Sequence, residues 1–143
     1  MNDGDRCLDE IERLHRFFER WLGDAATDPT EFARNEPIWP SDFALITPDG
    51  AVPDRAAVTG WLGQARGVHA DPAAPFRIEI RNAIVRLTLP GGFRLCTYDE
   101  WQSVRGVESL RRSTALLEVR EDAVLWRHLQ ETWAGPRGAD SGG

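Results

Sequence analysis

The hydrophobic period of the chain changes once, near Phe76, from a helical spacing to a spacing of two. Before that point Leu8, Ile11, Leu14, Phe18 and Trp21 or Leu22 recur at steps of three and four, with Asp, Glu and Arg between them. That spacing predicts an amphipathic helix stopped at Gly23. "DPTEFARNEP" predicts a short second helix: Asp28 is an N-cap, Pro29 suits the first helical position, and Glu31 completes a capping-box spacing. Pro37 and Pro40 end it. "DFALIT" predicts a short strand closed by a Pro48-Asp49-Gly50 turn. A third helix follows Asp54 and is expected to bury Val58, Trp61, Leu62 and Ala65. Glycines at 60, 63 and 67 leave it dependent on packing.

After Phe76, "FRIEIRNAIVRLTL" alternates around an irregularity at Asn82-Ala83, "GG" turns the chain, and "FRLCTYDEWQS" returns. "LRRSTALLEV" and "AVLWRHLQETW" follow, joined by the tight turn "RED". Helices first and long hairpin-joined strands afterward predict an α+β fold, with the helices packed against one curved antiparallel sheet. Residues 1–134 are expected to form one domain, and the apolar-poor stretch 135–143 a disordered tail.

Charge and composition then exclude several functions. The net charge is −6 and the basic residues form no run, which argues against a nucleic-acid partner. The chain contains no lysine, which removes lysine Schiff-base chemistry, a lysine-anchored pyridoxal cofactor and a phosphate-binding P-loop. Cys7 and Cys96 lie far apart, so neither a disulfide nor a zinc framework is suggested, and the three histidines show no metal spacing. No metal or cofactor is expected. The N-terminus is acidic and polar, unlike a signal peptide, and no apolar stretch is long enough to span a bilayer. A cytoplasmic protein without a membrane partner is the expectation.

The order of elements, with "ERWLGDA", "DFALITPDG" leading into "DRAAVTGWL", then "YDEWQ", "RRSTALLEV" and "WRHLQETW", resembles the nuclear transport factor two-like superfamily over about residues 6 to 133. These stretches look most similar to small bacterial members of uncharacterised function, which stand beside SnoaL-like cyclases and the association domains of calcium/calmodulin-dependent kinase. The resemblance implies a cone-shaped, cystatin-like sheet around N-terminal helices, with a pocket at the open end and an outer face used for dimers. Superfamily members include ketosteroid isomerase, polyketide cyclases and dehydratases, as well as binding and assembly modules, so fold leaves function open. The isomerase's aspartate base, placed before the turn proline, corresponds here to Thr47, whose hydroxyl is no carboxylate base. Its tyrosine falls near Arg16 or Phe17, and its protonated aspartate near Ala115. Steroid-type isomerase activity is not supported, and the elbow at Thr47–Gly50 is expected to be a corner.

Alternation divides the last strands into two faces. Leu95, Thr97, Asp99, Trp101, Ser113, Ala115, Leu117, Val119, Leu125, Arg127, Leu129, Glu131 and Trp133 form the more aliphatic one, assigned inward. Tyr98, Glu100, Arg112, Trp126 and His128 are on the other, whose large aromatic and charged side chains suit a dimer interface. With that assignment the ligand-binding candidates are Trp39, Thr47, Trp61, Asp99, Trp101, Ser113, Arg127, Glu131 and Trp133. Asp99 and Glu131 are the candidate catalytic carboxylates, since a carboxyl among tryptophans has a raised pKa. The structural alternative is an Arg127–Glu131 ion pair near the end of the sheet. His15 is expected at the boundary of helix one's apolar stripe, and His128 beside Glu100 or Glu118. The leading expectation is a binding protein for an apolar small molecule, in a conical pocket without a catalytic motif. The first alternative is a cofactor-independent cyclase, dehydratase or isomerase with a pocket carboxylate as base. The second is an oligomerisation or partner-binding module, with a homodimer as the expected state.

Overall fold

A computed structural model of the chain describes residues 1–135; all of the expected tail except Gly135 lies outside the described residues. The elements run α1 (Asp3–Gly23), α2 (Thr30–Asn35), a single 3-10 turn (Glu36–Ile38), β1 (Ala44–Ile46), α3 (Arg55–Gln64), β2 (Arg77–Leu89), β3 (Phe93–Val104), β4 (Val107–Val119) and β5 (Val124–Trp133). This is an α+β fold: helices wrapped by one curved sheet in the order β1-β5-β4-β3-β2.

Local chemistry accounts for the helix starts. The Asn2 side chain accepts the Asp5 N–H at 2.8 Å, and Asp3 and Asp5 complement the positive end of α1. Asp54 caps α3 by accepting the Ala57 N–H at 2.9 Å. The face of α1 carrying Cys7, Ile11, Leu14, Phe17 and Trp21 is buried against the sheet. The C-terminus of α1 is closed from a distance: the Gly67 N–H donates to the Trp21 carbonyl and the His69 N–H to Leu22, both at 2.8 Å. Gly67 has φ +72, and a Cβ there would lie 2.6 Å from Ala25 Cα. The loop after α3 therefore approaches α1 only because residue 67 is glycine.

β2 to β5 are antiparallel. β1, by contrast, pairs parallel with β5, Leu45 opposite Leu129, so the sheet is mixed rather than wholly antiparallel. Curvature comes from irregularities. The register of β2 against β3 slips between Arg81 and Ile84, where Asn82 has φ 56, at the position anticipated from the sequence. Two further slips lie between Val85 and Leu87 on β2 and between Leu116 and Leu117 on β4. Such bulges increase twist and bend a sheet, which here closes around α1 as a cone.

The inward face differs from the expected one. Tyr98 opposes Ser113 and Glu100 opposes Arg111 across β3 and β4, and all four side chains are buried. Tyr98 and Glu100 thus belong to the interior, not to an outer dimer face, and Asp99 and Trp101 are turned outward. The reason is the hairpin itself. Val104 pairs with Val107 around Arg105-Gly106, which both have positive φ, so even-numbered residues of β3 share a face with odd-numbered residues of β4. On β5 the slip again changes parity: Leu117 opposes Trp126, whereas Ser113 opposes Glu131. Trp126 is consequently fully buried instead of lying on the outer face.

Candidate functional site

A cavity of about 450 Å³ opens between α1, the β1–α3 elbow and the concave sheet face. Its walls are mainly apolar, with Leu14, Phe18, Trp39, Phe43, Leu45, Val58, Trp61 and Leu129 among them. Phe18 and Trp39 stack nearly parallel, 6.4 Å apart and 6° from coplanar. Trp61 is 44% exposed, against the expectation that α3 would bury it, since it stands at the cavity rather than in the core.

The floor is polar and ionisable. His15 from α1, Glu100 and Gln102 from β3 and Glu131 from β5 all line it, and each is at most 8% exposed. His15 Nδ1 lies 2.7 Å from the Ile11 carbonyl and Nε2 lies 3.1 Å from Glu100 Oε1. A carbonyl can only accept, so Nδ1 donates; Nε2 meets a carboxylate, and the arrangement is an imidazolium–carboxylate pair. Burial works against charge on Glu100. The His15 charge and hydrogen bond, then Arg111 and the Gln102 amide, outweigh it and hold the carboxyl at about 2. Burial likewise pushes His15 down, and Glu100 with the Ile11 carbonyl overcomes it, leaving the imidazole above its ordinary value.

Glu131 has the opposite balance. Burial pushes its carboxyl up, Arg111 pulls it down, and the Glu100 charge adds to the burial effect, leaving Glu131 at about 7. Arg111 Nη1 stands 3.6 Å from Glu131 Oε2, and its guanidinium lies over the Trp133 ring, 5.0 Å from the centroid. Two carboxyls in one pocket thus have widely separated affinities for a proton, the arrangement from which acid and base roles are drawn.

Of the residues nominated from sequence, Trp39, Thr47, Trp61 and Glu131 are brought together around the cavity. Ser113 is buried on the inner face beside Tyr98, and Trp133 holds the rim, donating from Nε1 to Asp49 at 3.2 Å. Asp99, Trp101 and Arg127 are outside the site. Asp99 accepts from Asn82 at 3.0 Å and pairs with Arg112 at 3.4 Å. Trp101 donates to Glu108 at 3.0 Å, and Arg127 donates to Asp42 at 2.7 Å, so the Arg127–Glu131 pair does not form. Arg112 and His128 remain on the outer face, with Leu116 opposite His128.

The elbow is a corner and also a rim. The Thr47 N–H donates to the Ala51 carbonyl at 2.9 Å, and the Thr47 hydroxyl accepts the Ala51 N–H at 3.1 Å. Thr47 and Asp49 nevertheless both line the cavity. His15, Glu100, Gln102 and Arg111 were missed as site residues. The signal for three of them was the "VRGV" hairpin, whose two-residue turn dictates the parity of β3 against β4. For His15 the helical spacing placed it beside the apolar stripe, and nothing local pointed to its partner.

Among the described residues no group of His, Cys, Asp or Glu is arranged to hold a metal ion, and no helix is long and apolar enough to cross a membrane. No protein-family model and no curated protein matches the sequence. Solved structures do. An NTF2-like protein of unknown function from Pseudomonas aeruginosa is 28% identical with a TM-score of 0.78, over 89% of this chain and 97% of its own. An NTF2-like protein from Cytophaga hutchinsonii is 12% identical with a TM-score of 0.68, over 93% of this chain and 99% of its own. A CamKII hub homology domain from Chlamydomonas reinhardtii is 13% identical with a TM-score of 0.68, over 94% of this chain and 100% of its own. Together with the cone-shaped sheet and the order of its elements, these likenesses make the chain a member of the NTF2-like superfamily.

Proposed function

We propose that the chain binds a small, largely apolar molecule in the cone. The observation that carries this reading is the cavity of about 450 Å³, apolar along its walls and ending on the buried His15–Glu100–Glu131 floor. A concave apolar site with a few convergent polar groups is the usual form of a small-molecule site. The test is tryptophan fluorescence and native mass spectrometry with apolar ligands, on the parent protein and on Leu129→Trp, which fills the cavity. Binding to the parent and loss in the folded variant supports the reading; equal binding by both places the ligand elsewhere and overturns it.

Catalysis in the same cavity is the alternative, favoured by the Glu131 carboxyl at about 7. With Asp99 on the outer face, Glu131 carries the role of base or acid in that reading. Substrate turnover that survives Glu131→Gln removes it. Oligomerisation is favoured by a different observation: Leu87, Leu95 and Leu116 form one apolar row across the outer face, and Leu87 is 53% exposed. Light scattering decides. A dimer broken by Leu116→Arg supports this reading, and a monomer at high concentration ends it.

A further inference from the structure

On the polar floor of the cavity and beside it, several hydrogen-bond donors are already engaged. Both His15 ring nitrogens are engaged, by Ile11 and by Glu100. Gln102 Nε2 donates to Glu100, Trp126 Nε1 donates to Glu10 at 2.9 Å, and Trp133 Nε1 is held by Asp49. The floor presents to a ligand the Glu131 carboxyl and, beside it, the Gln102 amide. Around these acceptors stand the rings of Phe18, Trp39 and Trp61, whose negative faces attract cations. A ligand anion finds no lining cation on which to sit, because Arg111 is paired with Glu131 and is not among the lining residues, and an ionised Glu131 repels it. A neutral alcohol satisfies the acceptors but makes no use of the charge or the rings.

We propose that the ligand of this cavity is an apolar amine, seated with its ammonium on Glu131 and its hydrocarbon between Phe18, Trp39 and Trp61. The inference rests on the binding reading above and gives it a chemical class. Binding is an exchange of cations at one place: the empty site holds a proton on Glu131 near neutrality, and the ammonium replaces it without changing the charge of the cluster. Glu131 is faced by Arg111 from β4, Glu100 from β3 and His15 from α1, with Asp49 on the elbow above; Tyr98, also inward, is held well above its ordinary value by burial and stays neutral. An alkylammonium stays charged from pH 6 to pH 8. Amine affinity therefore rises with pH as Glu131 loses its competing proton.

The experiment compares 4-phenylbutylamine, 4-phenylbutan-1-ol and 4-phenylbutyrate by calorimetry at pH 6 and pH 8, in two buffers of different ionisation enthalpy. The expected result is an amine bound at least tenfold more tightly than the alcohol at pH 8, with a smaller advantage at pH 6. Buffer-dependent heats at pH 7 should report proton release. Glu131→Gln should remove both the advantage and its pH dependence. Because the buffer and pH measurements use the unaltered protein, a poorly folded variant does not spare the proposal. If alcohol or carboxylate binds as tightly as the amine, the amine assignment is wrong and the binding reading survives. If none of the three binds, both are overturned.

Discussion

His15 and Glu100 are separated by 85 residues and meet at 3.1 Å in a site where both are almost wholly buried. Such a pair is weak evidence for net stability, but removing one partner leaves an uncompensated charge in an apolar place. His15→Ala is accordingly expected to cost about 3–5 kcal/mol, measured by denaturant unfolding near neutral pH. Cys7 and Cys96 make a similar point. Each thiol is fully buried, and both remain free. They are nonetheless close: the Cys96 thiol hydrogen-bonds Cys7, which lowers Cys7, while that contact and burial raise Cys96. Neither should react with an aromatic disulfide reagent in the folded protein, and both should react on unfolding; rapid native labelling would contradict the burial. Their spacing in the sequence pointed away from a disulfide and carried no hint that α1 and β3 set the sulfurs side by side. One-dimensional spacing reports local contacts, and these contacts are not local.

At the scale of elements, α1 and α3 were legible because each announces itself within a few residues; α2 starts one residue later than expected, at Thr30, with Pro29 at its cap position and no side-chain cap. The apolar stripe of α1, the Asp54 cap of α3 and the Asn82 irregularity all lie where the sequence predicts them. Sheet faces were not legible by composition. Asp99, Trp101, Arg127 and Leu125 on the outer face are no more polar than Tyr98, Glu100, Gln102 and Arg111 within, so an aliphatic count selected the wrong side of β3. The hairpin at Arg105-Gly106 and the bulge at Leu116/Leu117 decide it, since a shift of one residue inverts every side chain. The join between α3 and α1 is testable at this scale. Gly67→Ala places a Cβ 2.6 Å from Ala25 in a left-handed backbone, and a loss of roughly 2–3 kcal/mol is expected from the melting temperature. Amide exchange should accelerate in α3 and at the C-terminus of α1, because the loop that closes both is the one displaced.

For the whole molecule, the buried cluster makes stability depend on pH in opposite senses. Glu131 is raised from an ordinary 4.5 to about 7, so between those values the folded chain keeps a proton that the unfolded chain releases. Its contribution is greatest below about pH 4.5 and is lost as pH rises toward 7. His15, also raised, contributes fully below its ordinary 6.5 and loses that contribution as pH rises through its folded value. Glu100 runs the other way: held at about 2, it contributes above 4.5 and loses that contribution as pH falls toward 2. Glu131→Gln, a mimic of the protonated group, should be more stable than the parent at pH 8 by roughly 2–3 kcal/mol, with the difference vanishing near pH 4.5. Urea unfolding across that range checks both the sign and the window.

By itself the sequence determined the helices, the strands, their order and the α+β class, because periodicity, caps and turns act over a few residues. It also nominated four cavity-lining residues, Trp39, Thr47, Trp61 and Glu131, from a loop, an elbow, a helix and a strand. Only the tertiary structure decided which face of the sheet turns inward, that β1 lies parallel to β5, and that His15, Glu100, Arg111 and Glu131 meet in one buried cluster. Those outcomes depend on register between strands and on contacts between residues far apart in the chain. The proton affinities of the site follow from burial and neighbouring charge, which exist only once the cone has closed.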